Sequence, residues 1–444
     1  MPTRNDTARV SPARRVAATV LRRVEREGAY ADRALAAEAT RARLDSRERA
    51  VATQLAYGAV QRRRTLDHVI AACAGRPVEQ LDPSILDALR LGVLQLHFLD
   101  GVAPHAAVDQ SVELAKAAGG PGFKLVNAVL RRAGRDGPAL LAALDDSTPH
   151  DAAVRHSVPD WLAELWWEAL GAEDARALLA MLNEPAESAL RVNALLAEPA
   201  TVADELAERG IATRPAPAAL DGTPLPEGLL LDAQMDLAND PLWHAGALVA
   251  QSRAAISAAR LLDPPAGARV LDLCAAPGGK ATHLAALVGR GGAVIAIERN
   301  PRRAEALRRT VARLRADPIV RVETADAAQQ RTDGPYDAVL VDPPCSGLGT
   351  LQGRPDLRWR IQPDAIVELA ELQLRILSAG AAALRPGGAL VYSTCTISPQ
   401  ENEQVVERFL SAHRDFTLDR GTVQLLPHHD HTDGFFFARL RRAV

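Results

Sequence analysis

The stretch ARVLDLCAAPGGKATH, residues 268–283, limits what this chain can fold into more than any other. Val270, Leu271 and Leu273 make a short apolar run, and Pro277, Gly278 and Gly279 break it. Ala281, Leu284, Ala285 and Leu287 then recur at helical spacing. The pattern predicts a strand, a tight turn and the start of a helix. Glycine lets a backbone approach a ligand closely, and a helix start presents unpaired N–H groups, so the geometry suits a nucleotide-like cofactor. Two familiar sites are excluded. A P-loop fails because Cys274 stands where its first glycine belongs and Ala281 follows Lys280. The dinucleotide fingerprint fails at Ala275, Ala276 and Pro277. A purely structural strand–turn–helix gives the same signal, so the turn alone says only α/β.

From residue 246 onward the chain alternates strand and helix. Strands are expected at 269–273, 293–297, 319–323, 338–341 and 389–393, with an antiparallel end around Leu418 and residues 434–440. Such alternation implies a mixed, mostly parallel sheet covered by helices, with ligands at the carboxyl ends of the strands. Residues 1–137 read as an all-α bundle, 138–160 as a linker, 161–245 as a small α+β module and 246–444 as the α/β domain.

No apolar run is long enough to cross a bilayer, and the opening MPTRNDTARV holds no signal-peptide core, so a cytoplasmic protein is expected; a monomer is expected as well, though no residue pattern fixes the oligomeric state. Net charge is −3, yet residues 1–64 hold 15 Arg against 7 acidic residues. That excess is either a footprint for phosphates or a solvated arginine surface. Lysine occurs only at 116, 124 and 280, so a lysine inside the central turn suggests a need for a compact ammonium. The four cysteines, Cys73, Cys274, Cys345 and Cys395, show neither zinc-ligand spacing nor a disulfide framework. His428, His429, Asp430 and His431 read as a solvated loop, and no metal is expected.

Four consecutive strand ends carry reactive or hydrogen-bonding residues. Glu298 follows the second strand, where an acid accepts from ribose hydroxyls. Asp326 follows the third, placed to meet an adenine amino group. DPPCSG at 342–347 follows the fourth and STCT at 393–396 the fifth. Any one of these is an ordinary helix cap; four in succession are a site.

CAAPGGK at 274–280, DPPCSG at 342–347 and YSTCT at 392–396 resemble, in order and placement, the motifs of the Sun family of RNA cytosine-5 methyltransferases. The helical segment FKLVNAVLRR, 123–132, resembles the RNA-binding NusB fold, a fusion typical of the family's ribosomal small-subunit branch. The resemblance implies a Rossmann-like methyltransferase domain behind a NusB-like bundle, S-adenosylmethionine as cofactor, and carbon 5 of a cytidine in 16S ribosomal RNA as substrate. Transfer RNA is the alternative substrate, and a non-catalytic RNA-binding assembly or antitermination factor the alternative of another class. Cofactor contacts are implied for Cys274, Ala275, Ala276, Pro277, Gly278, Gly279, Lys280, Glu298, Asp326 and Asp342, with Cys274 lining the turn without reacting. Carbon 5 of cytosine attacks a methyl sulfonium only after a thiolate has added to carbon 6, which is covalent catalysis. The resemblance implies Cys395 as that nucleophile and Cys345 as the residue that assists release. Two positions depart from the family pattern: Gln251-Ser252-Arg253-Ala254 replaces Gln-Asp and small residues, and Glu298 replaces the usual Asp. Arg299 and Arg302 read as helix-surface charges.

Overall fold

In a computed structural model, residues 10–119, 121–233 and 235–444 are described. Arg4 and Arg9 of the basic segment lie outside them. The chain forms two compact units, one of residues 1–185 and 351–360, the other of 186–350 and 361–444. No helix among the described residues is long and apolar enough to cross a membrane.

The first unit is helical: α1 (Pro12–Arg26), α2 (Ala31–Arg41), α3 (Ser46–Gln61), α4 (Arg63–Ala74), α5 (Pro83–His97), α6 (Pro104–Ala118), α7 (Phe123–Ala142), α8 (Pro149–His156), α9 (Asp160–Leu170) and α10 (Ala172–Met181). Ser11 caps α1, which buries Val16, Val20, Leu21 and Val24 on one face. Helix α5 is buried nearly all round and forms the centre. Arg41, Arg43, Arg47 and Arg49 stand exposed about the α2–α3 turn. Residues 138–160 are not the linker their Gly, Pro and Asp content predicts. Helix α7 continues through Pro138 to Ala142 because Leu140 and Leu141 pack on the core, and α8 follows, capped by Thr148. Packing overrides local propensity there. Helices α9 and α10, the start of the α+β module in sequence, lie with the helical unit in space. So do residues 351–360: Arg358 donates to the carbonyls of Gln61 (3.0 Å) and Ser157 (3.2 Å), and Trp359 Nε1 donates to that of Val60 (2.7 Å).

The second unit opens with β1 (Ala189–Val192), α11 (Pro199–Glu208), β2 (Thr213–Pro215), β3 (Gly228–Leu231), α12 (Pro241–His244) and β4 (Leu248–Ala250). These strands make an antiparallel sheet of order β2-β3-β1-β4. The elements α13 (Arg253–Leu262), β5 (Arg269–Leu273), α14 (Gly279–Val288), β6 (Ala293–Ile297), α15 (Pro301–Arg313), β7 (Val320–Glu323) and β8 (Tyr336–Val341) follow. After α16 (Leu357–Arg360), in the helical unit, come α17 (Pro363–Ala383), β9 (Leu384–Thr394), α18 (Glu403–Ala412), β10 (Phe416–Leu418), β11 (Val423–Leu425), α19 (Pro427–Asp430) and β12 (Phe435–Arg442).

The large sheet has the order β10-β12-β9-β8-β5-β6-β7, with β11 on β12. Strands β5 to β9 are parallel and β12 runs antiparallel to β9. Side chains alternate between two cores. Val270, Val294 and Leu340 pack on one face with α13 and α14, while Leu271, Ile295 and Val339 pack on the other with α17 and α18. Burial on both faces explains the near-continuous apolar strands. Register then builds the site. Leu273 pairs with Ile297 and with Val341, Ile297 with Glu323, and Val341 with Tyr392, so the carboxyl ends of five parallel strands form one row.

Candidate active site

The glycine turn leaves β5 at Cys274, which has φ +66°, and enters α14 through Gly278 at φ +110°. A Cβ on Gly278 would lie 2.7 Å from Leu307 Cδ1, so only glycine meets both the backbone and the space requirement. Ala275 N–H donates to the Ile297 carbonyl (2.9 Å), tying the turn to the neighbouring strand end. Arg191, fully buried on β1, grips the turn from below. Its Nε donates to Gln251 Oε1 (2.9 Å) and its Nη2 to the Gly279 carbonyl (3.1 Å) and Thr282 Oγ1 (3.0 Å).

Glu298 is 4% exposed at the end of β6. It accepts from Asn300 N–H (2.8 Å) and pairs with Arg303 Nε (3.3 Å), whose Nη2 donates to the Ala276 carbonyl (2.9 Å). Arg303 therefore joins the acid to the glycine turn, while Arg299 and Arg302 are exposed as expected. Asp326 stands half-buried after β7 and accepts from Ala328 N–H (3.0 Å), with no bond to the other site residues.

At the other end of the row, Lys280 Nζ donates to Asp342 Oδ2 (2.7 Å) and lies 5.1 Å from the Phe435 ring centre. Burial acts to lower the Lys280 pKa, but Asp342, then Cys395 and Asp272, outweigh it and raise it, so the ammonium stays charged. Burial pushes the Cys274 thiol far up, helped by Asp342 and Glu298, so this cysteine remains a thiol.

The two cysteines expected to react come together: Cys345 Sγ and Cys395 Sγ are 3.3 Å apart, both half-buried. A hydrogen bond to Cys395, then burial, then the charges of Cys395, Glu401 and Asp342 hold the Cys345 pKa far above its usual value. Cys345 is therefore held as a thiol, and Cys395 lies within reach of the Lys280 charge.

The residues present fit a cofactor with hydroxyl, amine and carboxylate groups. A glycine cradle opens onto acids at three strand ends. In addition, both oxygens of the fully buried Asp272, together with Arg191 Nη1 and Gln251 Nε2, have no hydrogen-bond partner among the described residues. Burial, then Asp342, raises the Asp272 pKa well above the carboxylate range, against Lys280. Where the family pattern places an acid after Gln251, this chain has Ser252 and Arg253. Glu187 bonds Arg253 there and accepts from Thr432 Oγ1 (2.7 Å).

Comparison with known proteins decides the family. Residues 259–441 match the model of the 16S rRNA methyltransferase RsmB/F family, 11–135 the NusB family, and 158–237 the ferredoxin-like domain of RsmF/B-like methyltransferases. The chain is 38% identical to ribosomal RNA small subunit methyltransferase B of Thermus thermophilus, over 98% of each chain. It is 34% identical to the Xanthomonas campestris protein of that name, over 99% of each. The chain belongs to the RsmB/F methyltransferase family. The crystal structure of PH0851 superposes with a TM-score of 0.81 at 27% identity, covering 98% of this chain and 99% of that one. A methyltransferase homologue from Pyrococcus horikoshii superposes at 0.59 with 26% identity, over 67% of this chain and 99% of its own. Both the helical NusB domain and the methyltransferase domain of the sequence reading are thereby borne out.

Arg191, Arg303, Glu187 and the buried Glu401 are not signalled by the sequence. None lies in a motif, and each acts through a contact distant in sequence.

Proposed function

We propose that this protein methylates carbon 5 of a cytidine in 16S ribosomal RNA, using S-adenosylmethionine and a covalent Cys395–base intermediate. The observation that carries the reading is the 3.3 Å sulfur pair with the Lys280–Asp342 pair beside it. S-adenosylmethionine, when bound, supplies an electrophilic methyl group on a sulfonium. Cys274 to Lys280, Glu298, Asp326 and Asp342 are the residues that would hold it.

Cys395 adds to carbon 6 of an unstacked base, which turns carbon 5 into an enamine-like nucleophile. Lys280 steadies the thiolate before addition. Asp342, fixed by Lys280, stands at the same edge to hydrogen-bond the base or the cofactor's methionine end. Once Cys395 is bonded to carbon, the hydrogen bond and charge that held the proton on Cys345 disappear together. Cys345 then gives up its proton to solvent more readily, and the nearby charge of Asp342 keeps the resulting thiolate a competent base. After carbon 5 has accepted the methyl group, Cys345 takes the carbon-5 proton, the carbon–sulfur bond breaks, and Cys395 leaves as thiolate. The exposed Arg41, Arg43, Arg47 and Arg49 offer a phosphate-binding face on the NusB-like unit, so RNA affinity is expected to fall steeply with salt.

Tritiated methyl transfer to unmodified small-subunit RNA tests the proposal. Incorporation at one cytosine supports it. Incorporation only into transfer RNA changes the substrate, and none on any RNA leaves a non-catalytic binding protein.

A further inference from the structure

A second set of contacts, away from the cofactor turn, bears on how the two sulfurs are held. Cys345 and Cys395 lie 50 residues apart on separate loops, after β8 and β9. Neither loop is regular secondary structure, so strand register alone does not fix the distance between the sulfurs. Both loops are bonded to Glu401, which is fully buried. Its Oε1 accepts from the backbone N–H of Ser346 (2.8 Å) and from Gln373 Nε2 (3.0 Å). Its Oε2 accepts from the Ser346 hydroxyl, which also meets the Thr396 hydroxyl (2.6 Å). Ser346 follows Cys345 and Thr396 follows Cys395, so one carboxylate holds the residue next to each sulfur. Gln373 also donates to the Pro344 carbonyl (2.9 Å), and Tyr392 OH donates to the Glu401 carbonyl (2.6 Å). A second tie runs through backbone: Gly349 N–H donates to the carbonyl of Cys395 itself (3.0 Å). Gly349 must be glycine, because a Cβ there would lie 1.9 Å from the Gly434 carbonyl oxygen.

We infer that Glu401 is a positioning residue that staples the Cys345 loop to the Cys395 loop and so sets the sulfur–sulfur spacing. The inference rests on the reading of the two cysteines as nucleophile and base. Buried charge-assisted bonds are short, strong and directional, which suits a part that must hold two irregular loops in register. The role is geometric. Glutamine is nearly isosteric with glutamate, and its carbonyl can accept from Ser346 N–H and Gln373. Its amide can donate to the Ser346 hydroxyl once that hydroxyl turns toward Thr396.

The test uses the full chain and three readouts: calorimetric binding of S-adenosylmethionine, capture of phenylarsine oxide, and turnover. Phenylarsine oxide bonds two adjacent thiols with loss of water, so its affinity reports the sulfur spacing without RNA. Cys395→Ala serves as the single-thiol control. Glu401→Ala is expected to bind cofactor like the wild type, to capture the arsenical roughly tenfold more weakly as the second thiol moves out of reach, and to lose about a hundredfold in kcat. Glu401→Gln should restore capture and turnover to within about threefold of wild type, since only one bond changes character. Wild-type capture and turnover in Glu401→Ala would overturn the inference. So would a Glu401→Gln protein as impaired as Glu401→Ala, and that result decides the matter if Glu401→Ala fails to fold. If capture follows the pattern but the wild type methylates no RNA, the staple stands and the proposed reaction falls.

Discussion

Around Cys345 and Cys395 most buried polar groups are satisfied: Glu401, Ser346, Thr396, Gln373, Tyr392 and Asn402 find partners, while Ser398 Oγ has none among the described residues. Around the glycine turn, a few residues away along the same row of strand ends, Asp272, Arg191 and Gln251 keep polar atoms without partners. The two regions are built for different tasks. The proposed covalent step needs two sulfurs held to a fraction of an ångström before substrate arrives, which a largely satisfied network provides. A cofactor that enters and leaves every turnover gains affinity from groups that only it can satisfy. Changes near the cysteines should therefore fall on kcat, and changes near the turn on cofactor affinity.

The largest test of that division is Cys395→Ala. It should lower kcat by roughly a thousandfold or more while cofactor affinity stays at the wild-type value. Parallel loss of cofactor binding would merge the two regions. Lys280→Met comes next, because Lys280 starts on the turn and reaches Asp342 and the charge of Cys395. A loss of about a hundredfold in kcat together with weaker cofactor binding is expected in steady-state kinetics. Glu298→Ala should act on the cofactor side alone, raising its Kd by about tenfold to a hundredfold with kcat at saturation little changed. Arg303→Ala removes a half-exposed partner of Glu298, and its effect on the cofactor Kd should not exceed about fivefold. An Arg303→Ala protein as weak as Glu298→Ala would show that Arg303, not the acid, organises that end of the site.

How much of this is legible in the sequence follows from the range of each interaction. Strands β5 and β6 are read to the residue because burial on both faces of a parallel sheet leaves an apolar run with abrupt ends. The cysteine pair is legible because both sulfurs lie in motifs at strand ends. Arg303 is not, since it adjoins Arg302 in a basic helix and only the rotation of one residue aims it at Glu298. Glu401 is one acid among several in SPQENEQ, and nothing local announces that it is fully buried. Arg191 is one residue of a short strand, and nothing local points to its contacts at Gln251, Gly279 and Thr282. The place of residues 351–360 in the helical unit, and the helix through Pro138, are decided by packing rather than local pattern.

The central claim is that Cys395 bonds the base and Cys345 removes the proton. RNA carrying 5-fluorocytidine at the target blocks that last step, because a carbon–fluorine bond replaces the carbon–hydrogen bond that Cys345 must break. Incubation with S-adenosylmethionine, protease digestion and peptide mass spectrometry then reveal the trapped cysteine. The account predicts a methylated nucleotide on the peptide containing Cys395 and none on that containing Cys345. A nucleotide on Cys345, or no adduct from an enzyme that methylates ordinary RNA, would contradict it.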